Sequence, residues 1–421
     1  MSVFRLHDWW SIQISQDEDF DMGCLCIGNL DNARPASDKI AVASLEGMLR
    51  VYNPSHPTYR VDDLVLEEQL NQPILQILTG RFIPSTSLQA IAVLHPTKLT
   101  VFEVIGGGGS GATKASFFSL QKCYSHDLGV DGKHFSAFNM TAGLFGGILD
   151  REMIIVQSMD GKLQIFDQSA LAFTRQFIDC LVPGPLAYLP RLDAFVTVNH
   201  ATHAICYRYQ VIASAQTDLG NKNSASRDLD APSGVPAEIT GAFGLTAVRS
   251  AMVEWDTLLG EHCRQILDGS FSSTVQPLSN RIGDKQTKDP GGEMLLLCDR
   301  SVVLVRESGV ILQQRLLDRS PACACSHRPG GAPYHNFIIA NHDGTLQVFS
   351  QFQLVWAAKV DRPPVHIAVG DFGQQKGLIV QLDDTGRLSL SYLGTKPPLN
   401  VATSAGSREL DYNKVFIHTH P

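Results

Sequence analysis

Positive charge, long apolar runs and helical periodicity are all in short supply in this chain of 421 residues. Lys and Arg number 34 against 42 Asp and Glu, a formal net charge of −8. A nucleic-acid partner wants a basic face, as does electrostatic adhesion to anionic lipid, so the charge balance argues against both. No apolar run approaches the roughly 18 residues that suggest a membrane span. The start, MSVFRLHDWW, lacks the uninterrupted apolar core of a secretory signal. No long stretch sustains apolar residues at i, i+3 and i+4, which weakens any helix-rich reading. The nine cysteines are an odd number and mostly sit in apolar strands. That suits reduced core thiols in a cytosolic protein better than a disulfide framework. These absences predict a soluble intracellular protein, and 44% hydrophobic residues are enough for a sizeable core.

What the chain has in quantity is one β phrase. In EMIIVQSMDGKLQIFDQ (152–168) an apolar strand meets Asp160-Gly161 and a second strand with Leu163, Ile165 and Phe166. Asp-Gly between β-rich runs predicts a hairpin with a two-residue type I′ turn, whose positive φ glycine adopts without strain. The phrase recurs in KIAVASLEGMLRVY around Gly47, in FIIANHDGTLQVF around Gly344 and in LIVQLDDTGRLSL around Gly386. Ile40, Ile154, Phe337 and Ile379 stand seven residues before Gly47, Gly161, Gly344 and Gly386. These four structural turn glycines define a repeat.

Followed along the chain, the repeat gives seven units. AFVTVNHATHAICYRY is a degenerate fourth copy, with Ala204 and Cys206 where Leu and Ile are expected. Several units open with Gly-x-Phe at the end of the first strand: Gly80/Phe82, Gly143/Phe145, Gly269/Phe271 and Gly370/Phe372. Glycine there fits the crowding of innermost strands near an axis. The C-terminal units repeat about every 42 residues, within the range of four-stranded propeller blades. The last unit supplies only three strands, and residues 3–15, with Trp9 and Trp10, are free to be its fourth. Such closure removes two exposed sheet edges. The fold class predicted is all-β, a seven-bladed β-propeller closed by an N-terminal strand; a sandwich or a pair of smaller domains is the runner-up. The propeller spans 1–395. Polar, low-complexity insertions at about 214–245 and 277–292 read as disordered. Residues 396–421 read as a C-terminal linker or the start of a truncated following region.

Candidate chemistry fails position by position. Asp17, Asp19 and Asp21 resemble the opening of a calcium loop, but Met22 and Gly28 stand where a glycine and a bidentate Glu belong, so a solvated acidic connector is expected. Gly106–Gly109, Gly111 and Lys114 invite a phosphate-loop reading, yet the Gly-Lys-Ser/Thr order is absent and no helix pattern follows. Cys24-x-Cys26 and Cys323-x-Cys325 place two thiols on one strand face. With His327 the second pair offers part of a metal set, but the spacing is not that of a zinc site, and burial in a sheet layer explains both pairs. His95, His200, His203 and His342 fall at hairpin turns, where solvated histidines are the rule, and no Ser or Cys stands in a nucleophile-elbow context with them. The Ser-x-Asp-x-Gly-x-Thr-Trp box of propeller sialidases is not found. No catalytic, cofactor-binding or metal residue is assigned. By analogy with the fold, faces and rim are expected to bind proteins. A ligand- or metal-binding propeller using its axial channel is the alternative, and self-association of the isolated domain through blade edges is a further expectation.

Particular phrases carry a resemblance. They include Asp8-Trp9-Trp10, Gly23-Cys24-Leu25-Cys26, Ala92-Val93-Leu94-His95, Asn139-Met140-Thr141 and Phe145-Gly146-Gly147. The most specific are Gln157-Ser158-Met159-Asp160-Gly161 and Leu181-Val182-Pro183-Gly184-Pro185-Leu186-Ala187-Tyr188; Tyr209-Gln210-Val211, Tyr392-Leu393-Gly394-Thr395 and Ser407 to Tyr412 complete the set. From Asp8 to Tyr412 the chain resembles the N-terminal region of the parathyroid hormone-responsive protein B1 family, the ninth of the Bardet–Biedl syndrome proteins. The resemblance implies an N-terminal propeller in a non-enzymatic subunit of the BBSome, a coat complex recruited to membranes by an Arf-like GTPase. It implies other BBSome subunits as partners and, through them, that GTPase, membrane cargo and intraflagellar transport particles. The place implied is the cytoplasm, cilium, basal body and ciliary membrane, peripherally, in ciliary trafficking and cilium assembly. Family members continue into a β-sandwich, a platform and helical segments, and Asn413–Pro421 departs from their helix-like continuation.

Overall fold

The glycine hairpins close with three residues rather than two. The Gly161 N–H donates to the Ser158 carbonyl at 3.1 Å, and equivalent bonds join Gly47 to Ser44 (3.0 Å), Gly344 to Asn341 (3.0 Å) and Gly386 to Asp383 (3.2 Å). The φ angles of Gly47, Gly161, Gly344 and Gly386 are 91°, 79°, 73° and 81°, whereas Asp160 is not left-handed. The type I′ turn expected at Asp160-Gly161 is therefore replaced by a type I turn followed by a left-handed glycine. The residue opening the turn explains the choice. Ser44 Oγ, Ser158 Oγ and Asp383 Oδ1 accept from the N–H four residues on, of Met48 (3.2 Å), Lys162 (2.9 Å) and Arg387 (2.8 Å). A short polar side chain thus reaches across the loop and holds the first residue after the glycine. In the degenerate fourth copy Asn199 does the same for His203 at 3.0 Å, and Thr202, with φ 63°, occupies the glycine's place.

The computed structural model describes residues 6–34, 36–106, 118–129, 136–176, 183–214, 253–272, 292–330 and 332–394. The insertions expected at 214–245 and 277–292 (all but residues 214 and 292), the loop from Gly107 to Lys114, and 396–421 lie outside these residues. Among the described residues the strands form seven four-stranded antiparallel sheets. A strand β1 (Leu6–Gln13) precedes them. Blade 1 is β2 (Leu25–Gly28), β3 (Lys39–Ala43), β4 (Met48–Tyr52) and β5 (Leu64–Gln69). Blade 2 is β6 (Gln76–Gly80), β7 (Ala90–His95), β8 (Lys98–Gly106) and β9 (Phe118–Asp127). Blade 3 is β10 (Ala137–Gly143), β11 (Met153–Ser158), β12 (Lys162–Asp167) and β13 (Ala170–Gln176). Blade 4 is β14 (Leu186–Leu189), β15 (Ala194–Val198), β16 (His203–Arg208) and β17 (Val253–Leu258). Blade 5 is β18 (Cys263–Gly269), β19 (Glu293–Cys298), β20 (Ser301–Arg306) and β21 (Ile311–Leu316). Blade 6 is β22 (Pro321–His327), β23 (Asn336–Asn341), β24 (Thr345–Ser350) and β25 (Gln353–Lys359). Blade 7 is β26 (Pro364–Phe372), β27 (Gln375–Asp383) and β28 (Arg387–Leu393), with β1 as its outermost strand.

The first strands of the blades adjoin one another in order, and β26 returns to β2, so the ring closes. The chain is a seven-bladed β-propeller. Its second strands are buried on both faces, as strands sandwiched between neighbouring blades must be, while third strands such as β28 alternate apolar with small polar residues, and seven hydrophobic layers lie between blades. Closure is made by β1, which pairs along β28 from Leu6–Leu393 to Gln13–Arg387. Trp10, 1% exposed, donates from Nε1 to Asp63 Oδ2 at 2.9 Å and meets Tyr52 and Tyr59 edge-on. Besides two single 3₁₀ turns, at Val61–Asp63 and Phe145–Gly147, the described residues hold one α-helix that periodicity did not mark: α1 (Tyr209–Ser214) follows β16, and Arg175 from blade 3 donates to its terminal carbonyls at Ile212 (2.7 Å) and Ala213 (2.9 Å). A guanidinium there satisfies carbonyls that have no partner inside so short a helix.

Candidate functional site

The residues weighed for chemistry are scattered over the ring and engaged in structural work. Asp17, Asp19 and Asp21 are exposed, as a connector requires. The residue between them, Glu18, is the one that turns inward: both carboxylate oxygens accept from Arg50, at 2.7 and 2.8 Å, and Arg50 also donates to Glu67 at 2.7 Å. The Arg50 hydrogen bonds hold the Glu18 carboxyl below its ordinary range. Cys24 and Cys26 do not share a layer: Cys24 packs between blades 7 and 1, Cys26 between blades 1 and 2. Cys24 and Leu25 both face the layer between blades 7 and 1, so strand alternation does not carry through the pair. Cys323 and Cys325 do share one layer, beside Ile338 and Val348. Burial pushes Cys325 up to about 12, the opposite of what a thiolate ligand needs. Among the described residues no group of three or more His, Cys, Asp or Glu side chains is placed to hold a metal ion.

The turn histidines are not uniformly solvated. His95 is buried, with Nδ1 2.8 Å from the Pro73 carbonyl, and burial lowers its pKa. His203 lies against Asp256 at 2.6 Å. Sequence reading also missed Glu293, which closes the polar stretch before MLLLC and is fully buried. Its carboxylate accepts from the N–H groups of Phe271 (2.6 Å) and Ser272 (2.9 Å) and from the Ser272 hydroxyl. The signal available was an acid placed directly against an apolar run.

What the fold leaves open is its rim. Each outer strand has one unpaired edge, and charge normally blunts such edges. Glu67 and Glu68 are exposed on β5, Glu254 and Asp256 on β17. Exposed apolar side chains stand on the rim as well, singly at Leu171 on β13 and Leu258 on β17 and in groups on blades 5 and 6. Ile311 and Leu316 on β21, Leu354 and Val355 on β25, and Val310 in the turn before β21 are exposed, Leu316 by 75%. Between blades 6 and 7 lies a cleft of about 310 Å³ whose wall includes Asp8, Lys359, Asp361, Arg362 and Arg387. Its charges answer one another: Arg387 meets Asp8 at 3.3 Å and Asp361 at 3.4 Å, and Lys359 donates to the Asp343 carbonyl at 2.7 Å. The arrangement suits recognition at the rim rather than chemistry in the cleft.

Comparison with known proteins agrees with the geometry. The family described as PTHB1 N-terminal matches residues 1–397. The chain is 34% identical to Protein PTHB1 of Xenopus laevis over 422 aligned residues, covering 99% of this chain and 45% of that protein. It is 34% identical to Protein PTHB1 of Homo sapiens, covering 99% and 43%, and 23% identical to the pthb1 homolog of Caenorhabditis elegans, covering 95% and 45%. The chain thus spans less than half the length of these relatives. Among solved structures, BBS1N, crystallised in complex with ARL6DN, superposes with a TM-score of 0.64 at 11% identity, covering 94% of this chain and 98% of that one. Sqt1 of Saccharomyces cerevisiae superposes at 0.52 and 9% identity, covering 93% and 100%. At these identities the two structures speak for the propeller alone.

Proposed function

Because this chain belongs to the PTHB1 N-terminal family, we propose that it is a non-enzymatic scaffold, the propeller of a BBSome-type coat subunit acting in ciliary membrane-protein trafficking and cilium assembly. The observation that carries the reading is a sealed ring of seven blades whose buried polar groups serve the fold and whose rim at blades 5 and 6 exposes Val310, Ile311, Leu316, Leu354 and Val355. In this reading residues 1–395 are the scaffold and 396–421 a linker or the start of a following region. Its partners are other subunits of the coat; an Arf-like GTPase, membrane cargo and intraflagellar transport particles are reached through them. The places of work are the cytoplasm, the basal body, the cilium and, peripherally, the ciliary membrane. Likeness to the BBS1N propeller supports a shared architecture within such a coat. Co-purification of the tagged chain with recombinant BBSome subunits tests the reading, and near-stoichiometric recovery is expected. Failure to associate, both by this chain and by a full-length relative, would reject it.

A further inference from the structure

Cys263 and Cys298 face each other across the first two strands of blade 5. The Asp299 N–H donates to the His262 carbonyl at 3.1 Å. That bond, just outside the cysteines, makes them a non-hydrogen-bonded pair. In such pairs the α-carbons approach to about 4.5 Å and the side chains leave the sheet on one face. This separation lies within the roughly 4.4–6.8 Å that a disulfide tolerates. The two thiols lie in one packed layer, both are free, and Cys263 Sγ donates to the Gln265 carbonyl at 3.4 Å. No other two cysteines among the described residues are strand partners.

Both thiols are buried, in the apolar layer with Leu189, Val196 and Leu296. They nevertheless sit at the ends of their strands, one residue beneath a surface made by Gly260–His262 and Asp299–Arg300. That cover is thin. It is tied by the Asp299–His262 backbone bond, by the Arg300 N–H to Glu261 Oε2 at 2.9 Å, by Arg264 Nε to Asp299 Oδ1 at 2.8 Å and by the Leu317 N–H to the Arg300 carbonyl at 2.8 Å, while a side chain built at Gly260 would touch nothing. Fraying of a strand end is among the lowest-energy openings of a folded chain, and it would admit a small reagent to both sulfurs together.

We propose that Cys263 and Cys298 form a dithiol–disulfide couple, in which a small disulfide oxidant closes a cross-strand bridge pinning the first two strands of blade 5. One thiol loses its proton to solvent and its sulfur attacks the oxidant, which releases one small thiolate. The second sulfur, deprotonated in turn, displaces the other half. Two S–H bonds are thereby exchanged for one protein S–S bond, and the oxidant, reduced, departs as two thiols. Reducing conditions in a cytosol keep the pair as thiols, so the bridge records an oxidising episode.

Incubating the folded 421-residue chain with oxidised glutathione, then unfolding it in acid and alkylating it, tests the assignment. Expected are a protein two hydrogens lighter, two fewer alkylated thiols, a linked peptide pair containing Cys263 and Cys298, a higher thermal midpoint, and reversal of all four by dithiothreitol. Cys263→Ala and Cys298→Ala should each abolish the hydrogen loss and the midpoint rise; circular dichroism establishes which variant folds, and either alone suffices. Unchanged alkylation, a persistent glutathione adduct on either cysteine, a bridge mapped elsewhere, or hydrogen loss that survives in a folded variant would overturn it.

Discussion

Thr202 shows what one residue can reveal about the repeat. It stands in the left-handed conformation that glycine holds in four sister hairpins, and a β-branched side chain there costs about 1–2 kcal/mol. Thr202→Gly should therefore raise stability by about 1 kcal/mol, after allowing for the greater freedom glycine has when unfolded. A shift of the urea midpoint to higher concentration at unchanged slope would show it, and a shift to lower concentration would contradict the strain. The converse change, Gly161→Val, should cost about 1–2 kcal/mol or more for the same reason. The position of the turn glycines was legible in the sequence. The turn type was not, because it is decided by the polar residue three places earlier, Ser44, Ser158, Asn341 or Asp383, whose reach across the loop is geometry rather than composition. The burial of His95 was equally illegible, since its partner carbonyl at Pro73 belongs to a segment 22 residues away.

His366 adds a pH dependence at the same scale. It lies on β26, where blade 7 meets blade 1, with Nδ1 against the Met22 carbonyl, and burial pushes its pKa down to about 4. In the unfolded chain a histidine titrates near 6.5. Between these values the unfolded state binds more protons, so stability is fully present above pH 6.5 or so and declines as pH falls through about 4. The loss attributable to this ring is on the order of 3 kcal/mol. His366→Gln retains a donor for the carbonyl but cannot titrate. Its stability should vary less than the parent's between about pH 6.5 and 4 by that amount; parallel profiles would remove His366 from the account.

At the scale of elements, the Gly-x-Phe signature was seen in the sequence but its cause lay in a contact. Phe82, Phe145, Phe271 and Phe372 are buried, and each ring folds back beneath the glycine two residues before it. A Cβ at Gly269 would stand 2.8 Å from Phe271 Cζ and 3.2 Å from His335 Cγ. Gly269→Ala must therefore drive the Phe271 ring out of place, overpacking worth about 1–3 kcal/mol. Gly330→Ala, where an added Cβ meets nothing within 4 Å, should be nearly neutral. Equal effects of the two substitutions on the denaturation midpoint would dismiss the packing explanation. Glutamine serves neighbouring first strands differently. Gln76 on β6 accepts from the Met140 N–H at 2.7 Å and donates to the Met140 carbonyl at 2.9 Å, and Gln265 on β18 accepts from Ala324 N–H at 2.9 Å. Blades are thus joined by amide side chains that mimic a strand partner, a device no local pattern announces.

For the whole molecule, the decisive question is how a ring of blades is kept shut. The sequence disclosed the answer by a shortage: the seventh unit had three strands and the N-terminus had one to spare. What it did not disclose is how β1 is anchored. Trp10 is buried against Tyr52 and Tyr59 of blade 1, and its indole N–H meets Asp63, whose Oδ2 also accepts from the Arg60 N–H at 2.8 Å. The closing strand of blade 7 is therefore fastened to blade 1, so that losing it both bares the edge of β28 and opens a gap between first and last blades. Trp10→Ala should cost about 3–5 kcal/mol, the usual toll of removing a buried indole. Asp63→Ala should cost about 1–3 kcal/mol by leaving buried donors unpaired. A chain lacking residues 1–13 should unfold at lower urea and associate in a concentration-dependent way through the bared edge. A synthetic peptide of residues 1–13 should restore the midpoint and suppress that association, because it supplies the missing ladder and the indole together. Should the shortened chain keep the parent's midpoint and remain monomeric, the N-terminal strand would not be what seals the ring.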